Sequence, residues 1–223
     1  MSDERHISLQ YRHEPWMWYR WHPEEYEKWD KMPDVLEYLH LHSSSGYIFG
    51  VDRSFVPWGH SDRLMFEFVI VRHAFDSVLE FGTWSGVSSL YFGMAAAMRR
   101  IPFVTFDICD IRPYEVKKVW LWNMSFVRAD LLKGVDDHVA CRVMQPDMLL
   151  IVDNGDKTKE AAMYGKYMAK GSVMIVHDWG IQVPEEPIST TLREDGFVPL
   201  YFDFAEHLKS TCRVWQRQKV QWE

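Results

Sequence analysis

Carboxylates recur through the middle of this chain at a nearly constant interval. Glu80, Asp107, Asp130, Asp153 and Asp178 follow one another at spacings of 27, 23, 23 and 25 residues. Each lies within one residue of the end of an apolar, strand-like run, at 77–81, 102–107, 125–129, 147–152 and 172–177. Helix-like stretches fall between the runs, at 86–100, 113–122, 133–142 and 157–169. That spacing is the length of one β-α unit, and strand alternating with helix predicts a parallel sheet covered on both faces. After residue 188 a short helix precedes "FVPLYFDF" and "TCRVWQRQ", two strand candidates joined by a brief polar loop. The expected fold class is therefore α/β, doubly wound and mostly parallel, ending in an antiparallel hairpin.

The rest of the chain limits function by what it lacks. A formal net charge of -7 argues against a nucleic-acid partner, which calls for a basic face. No apolar run approaches the length of a membrane span, so no membrane partner is expected. The opening "MSDERHISLQ" is polar and has no secretory core, and three widely spaced cysteines form neither a zinc pattern nor a disulfide framework. Both features point to a cytoplasmic location. Two regions are expected: an aromatic-rich helical cover over 1–60, with a helix at 23–42, and the main domain over 61–223. Four of the eleven tryptophans lie in "PWMWYRWHPEEYEKWD", residues 15–30. A patch of that size is expected to be buried, in a homo-oligomer interface rather than the substrate site. Ser61 or Asp62 is placed to cap a helix running to about His73.

In open α/β sheets the carboxyl ends of the strands form one rim, and ligands bind there. Five acids on one rim need cations or donors among them. The turn "LEFGTWSG" carries Gly82 and Gly86 but lacks the third glycine of a dinucleotide turn. Glu80 beside it would repel a pyrophosphate, which disfavours an NAD-dependent oxidoreductase. A cofactor with a cationic centre and no phosphates suits it, and S-adenosylmethionine has a sulfonium, an ammonium and a ribose diol. Asp107 is placed to accept from both ribose hydroxyls, and Asp130 to lie at the adenine edge. Thr83 and Trp84 fill the turn, Trp84 along the methionine moiety, and Asp153 completes the expected cofactor set.

Four segments in order carry a family resemblance. "LEFGTWSG" resembles motif I of class I methyltransferases, in the form seen in catechol-type O-methyltransferases. "FDICDIRPYE", "IVDNGD" and "KGSVMIVHDWG" are similar to strand-end segments of cephalosporin hydroxylase-like and macrocin-type O-methyltransferases. The resemblance spans about residues 60 to 180. It implies a Rossmann-like, seven-stranded sheet and S-adenosylmethionine-dependent methylation of a small hydroxylated molecule, a sugar or a natural-product intermediate. It also implies a divalent metal held by Asp153 and Asp178, with His177 as a further ligand where the families carry an acid. Oxygen ligands favour Mg²⁺, and an imidazole shifts the preference toward Mn²⁺ or Fe²⁺. Asp156, three residues past Asp153, matches the position of the families' base, with Lys157 and His177 as alternatives. "DWGIQVPEEP" reads as a lid carrying Trp179. Two other readings stay open: a metal-independent N- or O-methyltransferase, and a non-catalytic S-adenosylmethionine-binding partner subunit.

Overall fold

The computed structural model describes residues 47–48, 51–52, 60–112, 114–118 and 120–218. The tryptophan-rich segment and the expected helix at 23–42 lie outside the described residues. A two-residue antiparallel pair, Tyr47–Ile48 with Val51–Asp52, precedes the main domain.

Seven strands form one sheet: β1 (Ser77–Phe81), β2 (Phe103–Asp107), β3 (Met124–Arg128), β4 (Met148–Val152), β5 (Val173–Val176), β6 (Phe197–Leu200) and β7 (Arg213–Arg217). Their spatial order is β3-β2-β1-β4-β5-β7-β6. The first five are parallel, and β7 runs antiparallel to both β5 and β6. The helices are α1 (His60–Arg72), α2 (Val87–Met98), α3 (Tyr114–Lys118), α4 (Asp137–Val143), α5 (Lys157–Gly165), α6 (Glu185–Glu194) and α7 (Phe202–Leu208). This is the Rossmann-like, mostly parallel seven-stranded α/β fold with a C-terminal antiparallel pair that the sequence predicts.

Both faces of the sheet are covered. Successive strand side chains point to opposite faces, and in the central strands both sets are buried and mostly apolar. Val78, Leu149, Ile151 and Ile175 pack with Phe66 of α1 and Leu90 of α2. Leu79, Leu150, Val152 and Met174 pack on the other face with Val139 of α4, Tyr164 of α5 and Leu192 of α6. The run Met148–Val152 is buried throughout because β4 lies at the centre of this double cover.

Two local expectations change. The segment "FVPLYFDF" is strand only over Phe197–Leu200; from Phe202 it becomes α7, so a helix rather than a short loop joins the last two strands. Tyr201, at φ 59°, makes the break between them. Asp62 lies inside the first turn of α1 rather than capping it. Its Oδ1 accepts from Ser210 Oγ (2.8 Å) and Thr211 N (2.7 Å), which ties α1 to the start of β7.

Candidate active site

The strand order reverses between β1 and β4, where a doubly wound sheet opens a crevice at its carboxyl edge. The ladder continues past the strand ends there. Asp153 N donates to Phe81 O (2.9 Å), Gly82 N to Phe106 O (2.9 Å) and His177 N to Val152 O (3.1 Å). Gly82, Asp153 and His177 are thus set side by side by the sheet itself. Gly82 has φ 99°, and a Cβ there would lie 2.5 Å from Asp153 O. Only glycine lets the turn cross so close to the end of β4.

A cavity of about 320 Å³ opens above this crossing. Gly82, Thr83 and Trp84 line it on the β1 side, Asp107 on the β2 side, and Asp153, Lys157 and Asp178 opposite. Trp84 and Asp178 have φ of 42° and 58°, left-handed values for non-glycine residues. Such positions cost about 1–3 kcal/mol each and collect at functional sites.

Asp107 is held by its neighbours. Oδ2 accepts from Trp84 N (2.8 Å) and Oδ1 from Ile108 N (2.7 Å). Each oxygen keeps a further lone pair for a ligand, in a fixed direction. Thr83 Oγ1 shares a 2.6 Å hydrogen bond with Thr105 Oγ1, which anchors the turn to β2. Gly86, at φ 77°, is the N-cap of α2 and packs against Arg112.

Two of the five strand-end acids stand elsewhere. Glu80 is fully buried and accepts from Ser89 Oγ of α2. It shares a strand face with Val78, beneath α2, and does not line the cavity. Burial raises its carboxyl to about 8, against the opposing bonds from Ser89 and Thr105. Glu80 therefore braces the glycine turn from below. Asp130 is exposed, follows the last residue of the β3 ladder extension, and accepts from Leu132 N (3.3 Å) in a turn. It is not among the residues lining the cavity.

Lys157 stands between the other acids. Its side chain is 6% exposed, and its Nζ lies 3.0 Å from Asp178 Oδ2, 3.5 Å from Asp153 Oδ1 and 2.8 Å from Gln182 Oε1. His177 is buried behind them, with Nδ1 2.8 Å from Asp153 Oδ1 and Nε2 3.6 Å from Asp62 Oδ2. Burial pulls the imidazole down, but hydrogen bonds to Asp153 and Asp62 and the charges of Asp153 and Asp178 outweigh it and raise it to about 9. Burial likewise opposes ionisation of Asp62, yet His177, Ser210 and Thr211 hold it at about 2.

The expected metal site is the trio Asp153, His177 and Asp178, whose ligand atoms lie within 4.8 Å of one another. The donor atoms do not fit a divalent ion as they stand. Nδ1 of His177 and Oδ1 of Asp153 are close enough to share a proton, so that nitrogen has no lone pair to offer. Lys157 already lies between the two carboxylates. A second trio, Asp62, His177 and Cys212, is wholly buried. Burial raises the Cys212 thiol well above its ordinary value, against the deprotonation that a metal requires.

Asp156, the expected base, is exposed at the N-cap of α5, where its carboxylate accepts from Lys159 N (3.0 Å). Trp179 is 6% exposed and packs against Trp215 and Phe202, so it is part of the core and not a lid contact. From the same segment Gln182 reaches the cavity instead. Ser85, Ser88 and Ile111 also line it; Ser85 and Ile111 fall inside the quoted glycine-turn and second-strand segments, and only Ser88 lies outside them. Among the described residues no helix is long and apolar enough to cross a membrane.

No family model and no curated protein matches this chain. Solved structures do. CmcI-N160 in its apo form is 16% identical, with TM-score 0.51 over 71% of this chain and 72% of that one. CmcI-N160 with SAH is 12% identical, with TM-score 0.50 over 75% and 79%. The CurJ carbon methyltransferase is 12% identical, with TM-score 0.50 over 88% and 71%. At these identities the likeness is one of fold: this chain shares the sheet and helix arrangement of those structures.

Proposed function

We propose that this protein is an S-adenosylmethionine-dependent methyltransferase acting on a small hydroxylated molecule. The observation that carries the reading is the cavity at the β1/β4 crossing, with Asp107 fixed by two backbone amides at one end and Asp153, Lys157 and Asp178 at the other. Its volume suits a nucleoside-sized ligand. Three carboxylates against one lysine leave it net negative, which suits a sulfonium and an ammonium and opposes a pyrophosphate. Asp107 is the acceptor for a ribose diol, and Gly82 and Thr83 form the floor beneath the cofactor. CmcI-N160, which shares the fold, has been solved with SAH, in keeping with this assignment.

S-adenosylmethionine supplies a methyl group already activated on sulfur. The protein is left with positioning, which for such transfers supplies most of the acceleration. Asp178 faces the cavity and is held by Lys157, so it accepts the acceptor's O–H hydrogen bond, sets its direction and takes the proton as the methyl's bond to sulfur breaks and its bond to oxygen forms. Lys157 lies beside the oxygen that gains negative charge as the proton leaves. Calorimetry with S-adenosylhomocysteine and, separately, NAD tests the assignment. Binding of the first alone supports it; binding of NAD alone refutes it.

A further inference from the structure

We propose that the ammonium of Lys157 permanently occupies the cation position between Asp153 and Asp178, so that the protein works without a divalent metal. The inference rests on the methyltransferase reading above for its functional meaning, but its geometry stands alone. Lys157 is the first residue of α5, four residues after Asp153, and its stem is buried in the wall of the cavity. An ammonium has three N–H donors. Three oxygens surround this one, on Asp178 (3.0 Å), Gln182 (2.8 Å) and Asp153 (3.5 Å). They come from the turn after β5, which carries both Asp178 and Gln182, and from the end of β4, so two separate pieces of backbone converge on one cation.

Asp153 is also engaged from behind. Its Oδ1 faces Nδ1 of His177 at 2.8 Å, so a single oxygen lies between two nitrogen donors. Magnesium requires its oxygens at about 2.0–2.1 Å in near-octahedral array. To bind here it would have to expel the ammonium and break the histidine bond. With Lys157 and His177 among them, Asp62, Asp153 and Asp178 keep one net negative charge, enough to favour a singly cationic ligand nearby.

The test uses the full chain, stripped with EDTA, and the electron paramagnetic resonance signal of free Mn²⁺. Wild type is expected to leave that signal unchanged. Lys157→Met removes the charge and should gain Mn²⁺ affinity by about a hundredfold or more, as expected for deleting a like charge a few ångströms from the ion. Lys157→Gln, which keeps a donor toward Asp178, serves if the methionine variant does not fold. Wild type that sequesters one Mn²⁺ per chain overturns the proposal. So does a folded Lys157 variant with no gain in Mn²⁺ uptake. Calorimetry with S-adenosylhomocysteine on the same preparations separates the two readings: loss of that binding in wild type refutes the cofactor assignment and leaves the Mn²⁺ result to decide this one.

Discussion

Asp107→Ala tests the cofactor pose most directly. The carboxylate is 8% exposed, and each oxygen already accepts one backbone amide, from Trp84 and Ile108. In the proposed pose its remaining lone pairs take the two ribose hydroxyls. Net worth for a hydrogen bond to a charged group is about 1.5–3 kcal/mol, and water replaces part of it in the variant. The expected loss is therefore about 1.5–3 kcal/mol for the diol as a whole, a roughly 10- to 150-fold rise in Kd by calorimetry. The substitution also frees two amides at the edge of the cavity, where water reaches them, at about 1 kcal/mol of stability. Loss of binding through a shifted Trp84 turn has to be told apart from loss of the diol contact. A 2′,3′-dideoxy analogue of S-adenosylhomocysteine does this. Wild type should bind the analogue more weakly than the parent ligand, while Asp107→Ala should bind both alike. If the variant still discriminates between them as wild type does, Asp107 does not hold the ribose and the pose is wrong.

Glu80→Gln separates a brace from a ligand contact. Because burial raises this carboxyl to about 8 from its ordinary 4.5, folding is penalised progressively as pH rises through that interval. The amide should raise Tm at pH 7 and leave S-adenosylhomocysteine affinity unchanged; a large loss of affinity would put Glu80 back in the cofactor site. His177 is raised in the folded state to about 9 from 6.5, so its contribution is complete below pH 6.5 and is lost as pH climbs through 9. Urea titrations should show stability declining over that window in wild type and not in His177→Gln, and equal slopes would refute the Asp153–His177–Asp62 link. Asp156→Ser keeps a capping oxygen for Lys159 N and should preserve both stability and turnover. A fall in kcat of about 10²–10⁴-fold with the fold intact would identify Asp156 as the base after all.

The strand–helix rhythm was readable because each β-α unit is nearly the same length and β1, β2, β4 and β5 are buried on both faces. The C-terminal pair was readable only in outline: Phe202 and Phe204 extend an apolar run, and nothing local shows that Tyr201 turns left-handed and starts a helix. Rim acids divide by strand position. Asp107, Asp153 and Asp178 lie at or beyond the ends of inner strands and line the cavity; Asp130, beyond the end of the edge strand β3, does not, and Glu80 lies one residue inside β1 and points beneath α2. Period-two alternation from Val78 contains that information, but an acid beside a glycine turn suggests a ligand contact more readily. Asp62 could not be found locally, because its partners lie 148 and 149 residues away.

Lys157 shows how a local misfit marks a site. The first turn of a helix favours anions, because its free N–H groups carry partial positive charge. Asp156 follows that rule at the N-cap, and Lys157 breaks it at the next residue. A basic residue there loses helix energy unless nearby carboxylates offset it, and Asp153 and Asp178 do so. The same two carboxylates face each other across neighbouring strand ends and would repel without a cation. Each half of the arrangement is unfavourable alone, and together they are satisfied. That mutual dependence gives a clear expectation for a double-mutant cycle. Lys157→Met should cost far less stability in the Asp178→Asn background than in wild type, because removing Asp178's charge leaves the lysine less to neutralise. Additive losses would mean that the three groups do not act as a unit, and Lys157 would then be no more than a buried stem with a solvated head.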